Sequence, residues 1–544
     1  MTRERIKIYG PPGTGKTDRL IGIVNDELGH GTRPDDIIYT SFTRAACKEA
    51  MQRALDSEAG MFYEKGDFPW FRTEHAICFK LLGLKKDQVL AGKNQQEFID
   101  KYPAYNVSRI TLESDLEIRE HTVTLQTLGD YYEFFISWMN NMALPFDDAM
   151  QQFRRNQGEL PDEFTTSGAR TYMERRETFK KEKGLLDFHD MIRIVTELKA
   201  CPPNIKVLVA DECQDSSRSL YKLLEMWAAQ VDRVYVAGDK FQSIFRWSGS
   251  SPELFDEFPG ELEVLPHSHR LPPQIKDYAE KIIALAKLPF PKFTAANKVG
   301  EITYNGHVNK IDWLNLGPTF LLARTHWQLY RLSKELKQMG VPYTAGERQR
   351  IWTPLESSKG EAYLTLIKLH AREKVNADDL RALAKHTREP WLLRGAKTRI
   401  KELVQAEYSF KEIAHFFKPD FLSVIAEDFA PVLCKDIEED DRSYLHRVYK
   451  KCGVSAFLKQ PDIVLSTIHG SKGREKETVV ISQELGKKVY DSFLKDKQSE
   501  VFVAYVAATR SMKRIIMLQR ETLESFPYPR MNGGTNGKVT TAPK

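Results

Sequence analysis

The stretch IKIYGPPGTGKTDRLIGIVNDEL, residues 6–28, decides the fold. A short strand-like run, IKIY, feeds into GPPGTGKT and then into a helix-like run with apolar residues at turn spacing. Residues 10–17 fit the pattern G-x-x-x-x-G-K-[ST], with Gly10, Gly15, Lys16 and Thr17 at its fixed positions and Pro11, Pro12, Gly13 and Thr14 between them. Glycines let such a loop wrap closely, so that successive backbone N–H groups point at phosphate oxygens. Lys16 adds a mobile cation for β- and γ-phosphates, and the Thr17 hydroxyl suits Mg²⁺. Strand, loop and helix in this order predict a nucleotide site rather than a Gly/Pro-rich structural turn.

A second element fits the first. VLVADECQD (207–215) places Asp211 and Glu212 just after an apolar strand, where side chains emerge at the carboxyl edge of a parallel sheet. An aspartate there can hold Mg²⁺, often through water, and an adjacent glutamate can polarise an attacking water. Acidic turns are common by themselves. Following a phosphate loop, this pair reads as hydrolytic: ATP or a relative is the expected ligand, with Thr17 and Asp211 as Mg²⁺ ligands.

The chain has 544 residues, 41% hydrophobic and 28% charged, a composition that folds rather than stays disordered. Such a length predicts about three to five folded units. The formal net charge of +5 permits a polyanionic partner without requiring one. No apolar run approaches the roughly 18 residues of a membrane span, and MTRERIKIYG does not read as a secretory signal. Six cysteines (Cys47, Cys78, Cys201, Cys213, Cys434 and Cys452) form no C-x-x-C pair. The expectation is a protein of a reducing cytoplasm, with no membrane association, disulfide framework or zinc site.

Strands are expected at 6–9, 36–40, 207–210, 233–237, 319–323, 463–468, 478–482 and 514–519, four in each half. Several are near-continuously apolar, as strands covered on both faces are, so the fold class is α/β with two parallel sheets. Residues 89–181 and 349–458 break this rhythm and read as mostly helical insertions, one in each half. The Gly/Thr/Lys-rich end reads as a flexible tail.

Four further segments complete an ordered set: AGDKFQSIFRWSG (237–249), LPHSHR (265–270), STIHGSKGRE (466–475) and EVFVAYVAATR (500–510). With GPPGTGKT and DECQD, in this order, they closely resemble the superfamily 1 DNA helicases of the UvrD/Rep type. The resemblance runs from about residue 6 to 519, and the two insertions match weakly. It implies two RecA-like P-loop domains with parallel sheets, each carrying a helical insertion. Domain 1A would comprise 1–88 and 182–261, and its insertion 1B 89–181. Domain 2A would comprise 262–348 and 459–522, its insertion 2B 349–458, with 523–544 as the tail. The resemblance also implies an ATP-dependent enzyme that moves 3′→5′ along single-stranded DNA and unwinds duplexes, with ATP and Mg²⁺ as cofactors. Its partners would be single-stranded DNA, junctions with duplex, and replication or repair proteins. A monomer or weak oligomer in a bacterial cytoplasm, or a host cytoplasm for a phage protein, is the state implied.

The same resemblance assigns roles. Gln242 resembles the γ-phosphate sensor, since an amide both donates and accepts. Arg270 and Arg510 resemble the arginines that reach the γ-phosphate, and Glu475 the acidic residue at the nucleotide's ribose. Phe245 and Trp247 resemble aromatics that lie under the DNA strand and stack on its bases; without the motif they read as core aromatics. Thr40 and Phe42 in TSFT (40–43), and Thr73 and His75 in FRTEHAICFKLL (71–82), resemble track residues suited to phosphate contact. Both segments also read as helix caps. LLDFHDM (185–191) resembles a further family segment.

Some positions depart from the pattern. Nine residues precede Gly10, so the glutamine-bearing stretch that reads adenine in this family is expected to be missing and the nucleotide range to be broad. His269 stands where an aromatic often precedes the arginine, and Ser248 where an arginine is frequent. With 25 residues after 519, a fused nuclease is not expected. Four readings stay open: a duplex-unwinding translocase, a translocase that strips proteins from single strands, a nucleotide-regulated single-strand scaffold, and a 5′→3′ or RNA-directed enzyme. The complete hydrolytic set weighs against the scaffold, and QSIFRWSG followed by LPHSHR weighs against the last.

Overall fold

Strand β1 (Glu4–Tyr9) runs parallel to its neighbours β4 (Arg233–Gly238) and β5 (Glu261–Val264). Together with β2 (Ile37–Thr40) and β3 (Val207–Ala210) they form a sheet in the order β2-β3-β4-β1-β5, every pairing parallel. Because all five strands point the same way, the residues that follow them gather at one edge. Gly10, Ser41, Asp211 and Asp239 all sit there. The molecule is known from a computed structural model that describes residues 4–108, 125, 127–156, 160–345, 353–388, 391–404, 406–429, 431–433, 437–531 and 535–536.

This sheet belongs to the first of two compact units, residues 1–300, 485–513 and 526–529. Leu20, Val24 and Leu28 of the helix Lys16–Gly29 recur at one-turn spacing and pack with Ile8, Tyr39, Val207 and Val209. Within 89–181 the described residues form four α-helices: Lys93–Lys101, Leu128–Met142, Phe146–Asn156 and Thr166–Lys183. Their core is aromatic, built on Phe98, Phe135, Trp138, Phe153, Phe164 and Tyr172. Rings meet edge-on, as their quadrupoles favour: Phe98 and Tyr172 at 5.6 Å and 82°, Tyr105 and Tyr172 at 4.6 Å and 90°.

Beside this core lies a buried ion network. Arg176 pairs with Glu133 and Asp187, and Lys180 with Asp187 at 2.8 Å and Asp190 at 2.7 Å. Asp187 also caps the helix Phe188–Glu197, accepting from the Asp190 N–H. Burial pushes the Asp187 carboxyl up, but the charges of Arg176 and Lys180 more than reverse this and hold it well below the usual carboxylate range. The LLDFHDM segment thus ties the helical insertion to the helix that follows it.

Residues 262–300 also pack in the first unit, where the helices Pro273–Ala284 and Lys497–Ala508 bury Ile275, Tyr278, Val501 and Tyr505. In the stretch expected to be a tail from residue 523, Phe526 and Tyr528 are buried, and Phe526 rests on Phe493 at 5.5 Å. An apolar side chain with a ready pocket packs even in a Gly/Pro-rich context, so packing reaches beyond 523.

The second unit comprises 301–484, 514–525 and 530–544. Its sheet runs β12-β6-β11-β10-β7-β9-β8. The strands are β6 (Glu301–Gly306), β7 (Thr319–Ala323), β8 (Thr344–Ala345), β9 (Ile463–Thr467), β10 (Lys476–Ile481), β11 (Ser511–Leu518) and β12 (Thr535–Asn536). Leu321, Leu329, Leu336, Tyr444, Leu465 and Val480 share its core. Residues in 349–458 build a separate helical core around Leu366, Leu380, Phe417 and Phe421. Every expected strand is present. Strands β5, β6, β8 and β12 were not expected, because β5 and β6 mix polar and apolar residues and the other two span two residues each.

Removing one partner of a buried ion network strands the others without a counter-charge. Arg176→Met is therefore expected to destabilise the first unit by about 3–5 kcal/mol, read as a lowered melting transition of the intact chain.

Candidate active site

The phosphate loop is shaped by close approach. Gly13 and Gly15 hold left-handed φ angles of 74° and 80°. A Cβ on Gly10 would lie 2.1 Å from Lys16 Cγ, and one on Gly13 would lie 2.3 Å from Arg270 Cβ. The helix starts at Lys16, with Gly15 at the cap and no side-chain cap, so its N-terminal amides face the loop's concavity. Lys16 is buried and its Nζ donates to the Gly10 carbonyl at 3.0 Å. The Thr14 hydroxyl closes the turn by donating to Pro11 O at 2.8 Å.

LPHSHR docks directly on this loop. Ser268 Oγ donates to Pro12 O at 2.7 Å, and the His269 N–H donates to Gly13 O at 2.8 Å. That places Arg270 against Gly13.

The acidic pair stands across the loop's exit. Thr17 Oγ1 donates to Asp211 Oδ2 at 2.8 Å, and the Glu212 N–H donates to Asp211 Oδ1 at 2.8 Å. Burial pushes the Asp211 carboxyl up to about 6; the neighbouring Glu212 adds to the rise, while Lys16 and the Thr17 hydroxyl oppose it. Glu212 itself holds a left-handed φ of 56°, a conformation that strains a residue with a side chain. Gln214 spans the next step, donating to Glu212 and accepting from the Asp239 N–H at 3.0 Å.

Asp239, at the end of β4, is fully buried. Its carboxylate accepts from Tyr9 OH at 3.0 Å, from the Phe241 N–H at 3.1 Å and from Gln242 Nε2 at 2.8 Å. Gln242 Oε1 in turn accepts from Arg510 Nη2 at 3.1 Å. Arg510 is 1% exposed, and its Nε donates to Val506 O at 3.1 Å. Arg270 Nη1 reaches the neighbouring Thr509 carbonyl at 3.5 Å.

One edge of the first sheet therefore brings together Gly10 to Thr17, Asp211, Glu212, Gln242, Arg270 and Arg510. Glu475 lies in the second unit, exposed, just before β10. Phe42 stacks on Phe245 at 5.3 Å and 19°, and Trp247 leans on Phe134 at 5.8 Å. Phe245 is 2% exposed, whereas Phe42 and Trp247 are half-buried. Thr40 is buried at the end of β2, its carbonyl accepting from the Asp211 N–H at 2.9 Å. Thr43 caps the helix Arg44–Leu55 with its side chain, but Thr73 makes no such bond at the start of Glu74–Leu81. His75 packs edge-on against Phe188 at 5.8 Å. Sequence reasoning missed Tyr9, Gln214, Asp239 and Ser268. Asp239 carried a signal, an acidic residue directly after an apolar strand in AGDK, as Asp211 is in VADE.

The fold and this edge define a parallel α/β protein of the P-loop class. Residues 1–263 match the family model described as the UvrD/REP helicase N-terminal domain. Among its relatives is the ATP-dependent DNA helicase Rep of Buchnera aphidicola, 23% identical over 432 residues that cover 73% of this chain and 62% of the relative. Another is the ATP-dependent DNA helicase PcrA of Leuconostoc citreum, 23% identical over 441 residues, 74% of this chain and 55% of the relative. The putative ATP-dependent DNA helicase YjcD of Bacillus subtilis is 24% identical over 268 residues, 47% and 33% respectively. The chain spans less than two thirds of the length of each of these proteins. Among the described residues, no helix is long and apolar enough to cross a membrane.

A carboxyl raised on folding means that the folded state binds the proton more tightly than the unfolded chain. The stability from Asp211 is then fully present below its unfolded value and is lost as the pH rises through about 6. Asp211→Asn removes that loss. Denaturant unfolding without nucleotide or Mg²⁺ should show the variant more stable than wild type at pH 8 by about 2–3 kcal/mol, with a smaller gap at pH 5.

Proposed function

We propose that the chain is an ATP-dependent DNA helicase and single-stranded DNA translocase that moves 3′→5′, coupling ATP hydrolysis in two RecA-like domains to unwinding. The carrying observation is the hydrogen-bond chain from Asp239 through Gln242 to Arg510, set beside the phosphate loop and the Thr17–Asp211 pair. A hydroxyl and a carboxylate 2.8 Å apart are the hard oxygen donors that Mg²⁺ prefers, and the Gly10 and Gly13 approaches leave the loop no room for side chains. These residues fit a nucleotide triphosphate with Mg²⁺.

In this reading the loop amides and Lys16 would hold the β- and γ-phosphates, and Thr17 and Asp211 would hold the metal. Bound Mg²⁺ supplies charge neutralisation at the phosphate oxygens. Glu212 orients and polarises the attacking water, Gln242 senses the γ-phosphate, and Arg270 and Arg510 offset the charge that develops on the transferring phosphoryl group. Glu475 would meet the ribose. The Phe42–Phe245 stack and Trp247 would form a platform for bases, with Thr40, Thr73 and His75 along the strand's path. The division into 1A, 1B, 2A and 2B given above belongs to the same proposal, as does a partner consisting of single-stranded DNA and its junction with duplex.

Strand displacement from duplexes with a 3′ or a 5′ single-stranded tail, with ATP and Mg²⁺, tests the reading. Displacement from the 3′-tailed substrate alone is expected, and Lys16→Ala should abolish it while sparing most DNA binding. Displacement from the 5′ tail alone, or undiminished activity in Lys16→Ala, would contradict it.

A further inference from the structure

We propose that Tyr9 and Asp239 are positioning residues that fix the amide of Gln242 in a single orientation and tie it to the root of the phosphate loop. This inference rests on the hydrolase reading above. Gln242 can in principle present either end of its amide to either neighbour. With Nε2 toward Asp239 and Oε1 toward Arg510, both contacts pair a donor with an acceptor, at 2.8 Å and 3.1 Å. The reverse flip would set an amide N–H against a guanidinium and a carbonyl oxygen against a carboxylate, so both contacts would repel. The orientation therefore depends on Asp239 being ionised.

Burial works against that ionisation. It pushes the Asp239 carboxyl up, and the Lys16 charge together with the bonds donated by Gln242, Phe241 and Tyr9 pulls it back. Of the three donors, the Phe241 amide belongs to the turn itself and Gln242 is the group being positioned. Tyr9 is the donor that comes from another strand. Its own phenol is held well above the usual range by burial and by Asp239, so it stays a neutral donor.

Tyr9 is also the last residue of β1, paired in register with Gly238, and the next N–H, that of Gly10, donates to Gly238 O at 3.2 Å. Backbone and side chain thus join the first residue of the phosphate loop to the strand end that carries the sensor. A shift of the loop's root is passed to Gln242, and through it to Arg510, without any intervening flexible element.

The test is DNA-stimulated ATP hydrolysis by the full chain carrying Tyr9→Phe, which removes one hydroxyl and keeps the ring. The turnover number should fall about tenfold while KM for ATP and the affinity for a fluorescent ADP change less than about twofold. Asp239→Asn should show the same split, and the double variant should be no worse than the worse single one, because both act through one bond. Wild-type turnover in both single variants would overturn the positioning role alone, as would equal losses of turnover and affinity accompanied by a lowered melting temperature. A wild-type chain that binds ATP without hydrolysing it would overturn both this role and the proposed function.

Discussion

The shared direction of β1, β3 and β4 is the constraint on which the rest depends. Parallel pairing brings Gly10, Asp211 and Asp239, far apart in sequence, to the same edge of one sheet. Each follows a strand of apolar or β-branched residues, and each leads into a turn whose backbone amides or side chains face the same space. An antiparallel arrangement of any one of these strands would remove its group from the site. Crossover connections supply the other requirement: the chain must travel a long way between strands, and the helical insertion from 89 to 181 is one product of that route.

The edge is also an electrostatic design. Two buried carboxylates, Asp211 and Asp239, are both pushed upward by burial, and both are pulled back by Lys16 and by donated hydrogen bonds. A mobile cation that now bonds the Gly10 carbonyl is the natural counter-charge for phosphate. Strain at Glu212 adds to this picture, because a side chain in the left-handed region persists only where its surroundings demand it. Gln214, bonding both Glu212 and the Asp239 N–H, links the acidic pair to the turn that carries Gln242.

Much of this was legible in the sequence, and the reasons are specific. GPPGTGKT carries its own geometry, since glycine placement and the strand and helix on either side leave one arrangement. The strands VLVA and TFLLA were legible because burial on both faces demands unbroken apolar runs. The helical character of the first insertion was legible, but its aromatic core was not, because which rings of Leu128–Met142 meet those of the other helices is settled only by folding. The network of Arg176 and Lys180 was not legible, because charged residues on a helix read as a solvated face until a partner such as Asp187 is folded against them. Asp239 was overlooked for a related reason: its role lies in bonds to Tyr9 and Gln242, and the first of these spans more than 200 residues. Short strands such as β8 leave no pattern to read.

The central claim is that hydrolytic chemistry, and not only nucleotide binding, is built into this edge. The most direct measurement is single-turnover ATP hydrolysis on single-stranded DNA by Arg510→Ala, alongside its nucleotide affinity. A buried guanidinium bonded to the Gln242 amide should act on the charge that develops during phosphoryl transfer, so the rate is expected to fall about a thousandfold with affinity changed only a few-fold. Unchanged hydrolysis, or a loss confined to affinity, would contradict the account.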